Sequence, residues 1–369
     1  MKRRWGFCFL IVVFSFFLNI QIADALVAAY IANAEDDTVT VIDTSTNTVE
    51  EIIAVGSNPE GVDVAPDGGT VYVVDHGSDE VTVIDTSTNT VEATVAVGGD
   101  PIGVVVAPDG GEVYVTNSGG GTVSVIDTTT DTVKATVTVG DEPTGIAVSP
   151  DGGEVYVVDH GSNKVTVIAA SDNTVEATIA VGDDPVGIAV TPDGGEVYVT
   201  NNGDDTVSVI DTNTNTVTTT IKVEKSPEGV AVSPDGETVY VANNGSDDVS
   251  EVATETHTVT RTDRVGNEPT GVAATPDGRK VYVTNKGSDD VSEISTETHI
   301  VRKIDSQGHS PDDLGDFIGT VPNLPAGTGG SGCSLSSRSG SPNFLELLTS
   351  YGLLLIPLVW LKKKGNPFA

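Results

Sequence analysis

The sequence predicts an all-β protein: a seven-bladed propeller of four-stranded repeats, followed by an apolar C-terminal helix. Three observations carry this. Tyr30, Tyr72, Tyr114, Tyr156, Tyr198, Tyr240 and Tyr282 recur at a constant spacing of 42 residues. Each interval holds four short β-branched or alternating runs separated by Gly, Asp, Asn and Pro, at roughly ten-residue spacing. Four strands at a period of about 40 to 45 residues make a propeller blade.

Within one copy the strands are expected at Gly187 to Thr191 and Glu196 to Val199, then at the equivalents of Val165 to Ile168 and Val175 to Val181. Pro192-Asp193-Gly194 makes a tight turn, with proline fixing one φ and glycine supplying a positive one. Asn202-Gly203 and the run from Asp211 to Asn215 make the next two turns. No innermost strand precedes Tyr30, so the first blade needs a donor. Pro311 falls on the repeat's proline position (59, 101, 143, 185, 227, 269), which predicts that the C-terminal end closes the ring. Asp313 at the usual glycine and Asp316 at an inward valine position fit that role poorly.

The rest of the chain divides by composition. Residues 1–25 read as a secretory signal: Lys2, Arg3 and Arg4, an apolar run, then a small-residue cleavage pattern ending at Ala25. The propeller is assigned to 26–320 and a Gly/Ser-rich linker carrying Cys333 to 321–343. An apolar transmembrane or sorting helix at 344–361 and a basic cytoplasmic tail at 362–369 complete the chain. At about 1.5 Å per residue that helix spans about 27 Å, against a hydrocarbon core of about 30 Å, and Glu346 and Pro357 interrupt it. The lysines at 362–364 would stay cytoplasmic and leave the propeller outside. The order of linker cysteine, apolar run and basic cluster resembles the three-part sorting tags of bacterial surface proteins. That resemblance makes Cys333 a processing or lipidation point; a plain anchor with an unpaired cysteine is the alternative.

Tyr114-Val-Thr-Asn117, repeated at Tyr198-Val-Thr-Asn201 and Tyr282-Val-Thr-Asn285, is followed by Val-Ser-Val-Ile-Asp-Thr and Ser/Thr-Pro-Asp-Gly runs. This pattern resembles the YVTN β-propeller repeat of surface-layer and YncE-like proteins, over residues 30 to about 306. The resemblance implies a seven-bladed propeller exported to, or displayed on, the envelope, and implies no reaction. Copies two and four depart from it as Val-Val-Asp-His, and copies six and seven carry Thr-Glu-Thr-His turns at His257 and His299.

A net charge of −36 disfavours nucleic acid. Acidic loops on one face supply the metal candidates: Asp141, Glu142, Asp183, Asp184, Asp204, Asp205, Asp247 and Asp248. Clustered carboxylates suit Ca²⁺, but no loop has EF-hand spacing, and solvated turns are the plainer reading. No other cofactor is expected. Residues 26–133 hold no Lys or Arg, while Lys222, Lys225, Arg261, Arg264, Arg279, Lys280, Lys286, Arg302 and Lys303 crowd the last three copies. That asymmetry suits self-association or a basic partner, or is drift among duplicated copies. His76 and His160 share a repeat position two blades apart, and they read, like His257 and His299, as turn residues.

The array offers no residue to assign as base or nucleophile, and no aromatic platform for a sugar. The expected function is a non-catalytic interaction or surface-layer scaffold, meeting a protein or cell-envelope partner, with its membrane contact made through the C-terminal helix. The alternative is a lactonase-like hydrolase using the channel mouth. An asymmetric polar mouth with close carboxylate and His groups favours the enzyme; a nearly sevenfold mouth favours the scaffold.

Overall fold

The computed structural model describes residues 26–321 except Leu314 and Asp316. Ala25, Cys333 and the segments 1–25, 322–343, 344–361 and 362–369 lie outside the described residues, and the propeller's last strand runs one residue past the expected boundary, to Val321. Among the described residues no helix is long and apolar enough to cross a membrane.

Seven antiparallel four-stranded sheets form the blades. Blades 2 to 7 begin at Pro59, Pro101, Pro143, Pro185, Pro227 and Pro269, and each runs through the chain from innermost to outermost strand. In blade 5 these strands are Pro185–Val190, Glu196–Asn201, Thr206–Asp211 and Thr216–Lys222. The third strand, Thr-Val-Ser-Val-Ile-Asp, buries Val207, Val209 and Ile210 completely, whereas the outer strand buries Ile221 and exposes alternate residues. Alternation thus decides which face of each strand meets the neighbouring blade. Gly194 takes the positive φ expected of the Pro-Asp-Gly turn, +72°. The glycine two residues after each inner-strand proline has a different cause: a Cβ on Gly187 would stand 2.2 Å from the Glu228 carbonyl oxygen of the next inner strand.

The repeated Tyr-Val-Thr-Asn motif fastens one blade to the next. Tyr114 packs against Ile146, Val155 and Val157 of blade 4. Thr200 Oγ1 accepts from the Gly187 amide at 2.8 Å in its own blade and donates to the Glu228 carbonyl of blade 6 at 2.6 Å. Asn201 Oδ1 accepts from the Gly182 amide in the incoming loop, while its Nδ2 donates to Thr206 and Ser208. Thr200→Val leaves a buried amide and carbonyl without their partner and is expected to cost about 1–2 kcal/mol, read as a lower urea midpoint at unchanged slope.

Blade 1 has the sheet order Ile318–Val321, Leu26–Asn33, Thr38–Asp43, Thr48–Ala54, so its inner strand comes from the far end of the chain, as the proline register predicts. Pro311 bridges Asn33 as Pro59 meets Asp75. The strand then departs from the repeat. In blade 2 the residue five beyond the proline, Val64, pairs with the residue before the tyrosine; in blade 1 the partner of Ala29 is Ile318, seven beyond Pro311. Two extra residues therefore carry the chain past the acidic stretch, and Ile318 takes the inward place assigned above to Asp316. Asp313 does not break the closure. It is fully buried, and its Oδ1 accepts from the Ala32 amide at 2.9 Å.

Candidate functional site

The inner strands of blades 2 to 7 start with proline, Pro311 takes the equivalent place in blade 1, and the residue after each proline stands at the rim of the channel. Ring closure brings these seven together as Glu60, Ile102, Thr144, Val186, Glu228, Thr270 and Asp312. The rim is not sevenfold. Blades 6, 7, 1 and 2 present Glu228, Thr270, Asp312 and Glu60 in succession, whereas blades 3 to 5 present Ile102, Thr144 and Val186. Lys286, one residue past the blade 7 motif, donates from Nζ to Asp312 Oδ2 at 2.6 Å.

Burial sets the charges of this polar half. The Glu228 carboxyl is pushed up to about 7 by loss of solvent and by the Asp312 charge, with Lys286 opposing. Glu60 is raised for the same two reasons, with His76 and Lys286 opposing. The Lys286 ammonium, whose side chain is 44% exposed, is raised because the pull of Asp312, Glu60 and Glu228 on its proton outweighs its partial loss of solvent. One carboxyl poised near neutrality beside a held cation is an acid–base arrangement. Beneath the rim the inner strands enclose a cavity of about 430 Å³, lined by side chains such as Ile146, Ile188 and Val230, with Asp313 in its wall. Complete burial raises the Asp313 carboxyl well above its usual range.

His76 and His160 occupy the loop position equivalent to Lys286. Each points Nδ1 at the proline carbonyl opening the next blade, Pro101 at 3.2 Å and Pro185 at 3.0 Å. A carbonyl only accepts, so Nδ1 carries the hydrogen in each contact. The two rings are held by different blades, in keeping with their reading as turn residues.

Five of the eight acidic loop candidates, Asp183, Asp204, Asp205, Asp247 and Asp248, act as fasteners through their side chains. Asp205 Oδ1 accepts from the Ser226 amide and Asp247 Oδ1 from the Glu268 amide, each pinning a loop to the linker that enters the next blade. Asp204 accepts from the Asp183 amide, Asp183 from the Asn163 side chain, and Asp248 from the Asn243 side chain. Glu142, Asp184, Asp205 and Asp247 take positive φ, and Asp141 and Glu142 are exposed, their backbone carbonyls accepting from Gly161 and His160. Among the described residues these candidates do not gather into a group of three ligands.

On the opposite face, His257 Nε2 meets the Glu196 carboxylate at 3.1 Å, and His299 Nδ1 meets Glu251 at 3.1 Å, each across a blade boundary. Of the crowded bases, Lys280 and Arg302 both reach the buried Glu293, and Lys303 pairs with Asp290. Sequence reasoning passed over Glu60, Glu228, Asp312 and Lys286. The available signal was the residue after each repeat proline, whose chemistry changes from copy to copy while the proline before it and, in blades 2 to 7, the glycine after it stay constant.

Residues 61–228 match the family described as lactonase, 7-bladed beta-propeller, and residues 188–287 match the YNCE-like beta-propeller family. No protein with a curated description matches the chain. Among solved structures, Kuenenia stuttgartiensis hydrazine synthase is similar at 24% identity over 72% of this chain and 92% of that one, with a TM-score of 0.67. A functionally unknown protein from Desulfotomaculum acetoxidans is 17% identical over 80% and 98%, with a TM-score of 0.69. A putative 6-phosphogluconolactonase from Bacteroides fragilis is 17% identical over 79% and 98%, with a TM-score of 0.68. At these identities the likeness to solved structures shows the shared fold alone.

Proposed function

We propose that this seven-bladed β-propeller, whose channel mouth carries ionisable groups on one side only, is a hydrolase of lactonase type acting at that mouth. The observation that carries the reading is Glu228, held near 7 beside the Lys286–Asp312 pair. An array used only for display needs no such break in its symmetry, since one reacting bond must be met by different groups in different roles. The apolar arc of Ile102 and Val186 supplies a wall for the carbon skeleton of a cyclic ester.

In this reading Glu228, ionised, takes a proton from water as its oxygen bonds to the ester carbonyl carbon. Lys286 stabilises the negative charge that develops on the carbonyl oxygen. The ring C–O bond then breaks, and the proton on Glu228 passes to the leaving alkoxide, giving a hydroxy acid. The apolar segments at 6–18 and 344–361 support a place outside the cytoplasm for this chemistry.

The test is hydrolysis of a panel of lactones by the purified chain. Turnover is expected to rise through a pH of about 7 as Glu228 ionises, and Glu228→Gln is expected to lower it at least about 100-fold. A chain that turns over no lactone, or a Glu228→Gln variant with an unchanged pH profile, refutes the proposal and returns the propeller to the display-scaffold reading.

A further inference from the structure

The boundary between blades 6 and 7 departs from the repeat at three positions that meet in space. In the third strands, Val41, Val83, Val125, Val167 and Val209 share a repeat position and are buried; blade 6 has Glu251 there. In the outer strands, Ile53, Val95, Val137, Ile179 and Ile221 share another buried position; blade 6 has Asp263. At the left-handed residue of the turn before the outer strand, Asn47, Asn89, Asn173 and Asn215 recur; blade 7 has His299 at φ 54°. Glu251 and Asp263 are 9% and 7% exposed. These three are the one group of His, Asp and Glu side chains among the described residues whose ligand atoms all lie within 4.8 Å of one another.

We propose that Glu251, Asp263 and His299 form a binding site for a divalent transition metal of the zinc class. A tetrahedral ion bound at about 2.0–2.2 Å separates its ligand atoms by about 3.3–3.6 Å. His299 Nδ1 stands 3.1 Å from Glu251 Oε1 and 3.5 Å from Asp263 Oδ2 before any ion is added. Asp263 Oδ1 is satisfied by Arg261 Nε at 2.7 Å, which orients the carboxylate. Its Oδ2 is buried, has no hydrogen-bond donor and points at the imidazole. One nitrogen and two carboxylate oxygens form a borderline donor set, suited to zinc and its neighbours rather than to calcium, which takes six to eight oxygens.

The neighbouring boundary shows what the same substitution looks like without a site. Glu293 of blade 7 replaces the same valine, but Lys280, Arg302 and the Asn47 amide surround it, and Ile304 fills the place that Asp263 has in blade 6. There the charge is matched by two fixed cations. At the blade 6/7 boundary two buried carboxylates face one arginine and one histidine.

The test is calorimetric titration of the full chain with Zn²⁺ in chelator-treated buffer at about 0.1 M salt, paired with thermal melts. One saturable equivalent and a raised Tm are expected. In His299→Asn, which installs the residue found in four other blades and so preserves the turn, that equivalent is expected to bind at least about tenfold more weakly. The double variant Glu251→Val with Asp263→Ile restores the repeat and is expected to abolish it. Glu228→Gln, altered at the channel mouth, is expected to keep it, so failure of the hydrolase reading leaves this result standing. Absence of a stoichiometric equivalent, or an equivalent unchanged in His299→Asn, overturns the proposal and leaves a buried ion-pair cluster.

Discussion

Phe317→Ala is expected to lower the unfolding free energy by about 3–5 kcal/mol, the range for emptying a buried aromatic site. Phe317 is fully buried in a cluster that includes Tyr30 and Ile31 of blade 1, Val62 and Val64 of blade 2, and Tyr282 of blade 7. Its carbonyl also accepts from the Tyr30 amide at 2.9 Å, so it anchors the segment just before the closing strand. The four pairs that follow, from Ala29 with Ile318 to Leu26 with Val321, depend on that anchor. Urea unfolding of the full chain measures the effect. A shift below about 1 kcal/mol would mean that the ring holds without this side chain. Truncation after Ser310 removes the whole inner strand, and its loss is expected to exceed that of Phe317→Ala.

Asp75→Asn is expected to stabilise the protein at pH 8, by on the order of 2–4 kcal/mol, and to do nothing at pH 4. Asp75 stands in blade 2 where five other blades have the motif asparagine, fully buried, with Oδ2 accepting from Thr82 Oγ1 at 2.6 Å. Burial pushes its carboxyl up to about 7, against the hydrogen bonds from Thr82 and the Gly56 amide. A carboxyl raised in the folded state binds more protons there than in the unfolded chain. Its contribution is therefore whole below the ordinary carboxylate range and is lost as the pH rises to about 7. Glu228 adds a loss of the same sign.

The acid side has the opposite origin. Asp151, Asp193, Asp235 and Asp277, in the Pro-Asp-Gly turns, accept from a Ser or Thr hydroxyl and from a backbone amide, which holds their carboxyls below the usual range. Their contribution is present above that range and is lost as the pH falls through the lowered values. Melts from pH 3 to 9 are thus expected to peak in the mildly acidic range, and Asp75→Asn to flatten the alkaline limb. An unchanged alkaline limb in that variant would place the loss on other groups.

The blades were legible because strand alternation and turn chemistry repeat, and repetition makes weak local signals add. The donor of the last inner strand was legible from one residue, Pro311, in register with six others. Its two-residue excess was not, because Asp313 still aligns with the glycine position and nothing local marks where the chain resumes the ladder. The mouth was hidden for another reason: Glu60, Glu228 and Asp312 are remote in sequence and meet only through ring closure. Glu251 and Asp263 resemble ordinary drift when read singly. Only the packing of blade 7 on blade 6 brings His299 to them.

Blade 1 also fixes an order of events during synthesis. Its second strand, Leu26–Asn33, is among the first parts of the propeller to be made, and its inner partner, Ile318–Val321, among the last. Until the last segment emerges, the first blade presents an unpaired β edge, while blades 2 to 7 can form from contiguous chain. A completed closing strand from another copy fits that edge as well as the chain's own. The result would be reciprocal strand exchange between molecules, favoured wherever many chains are made close together.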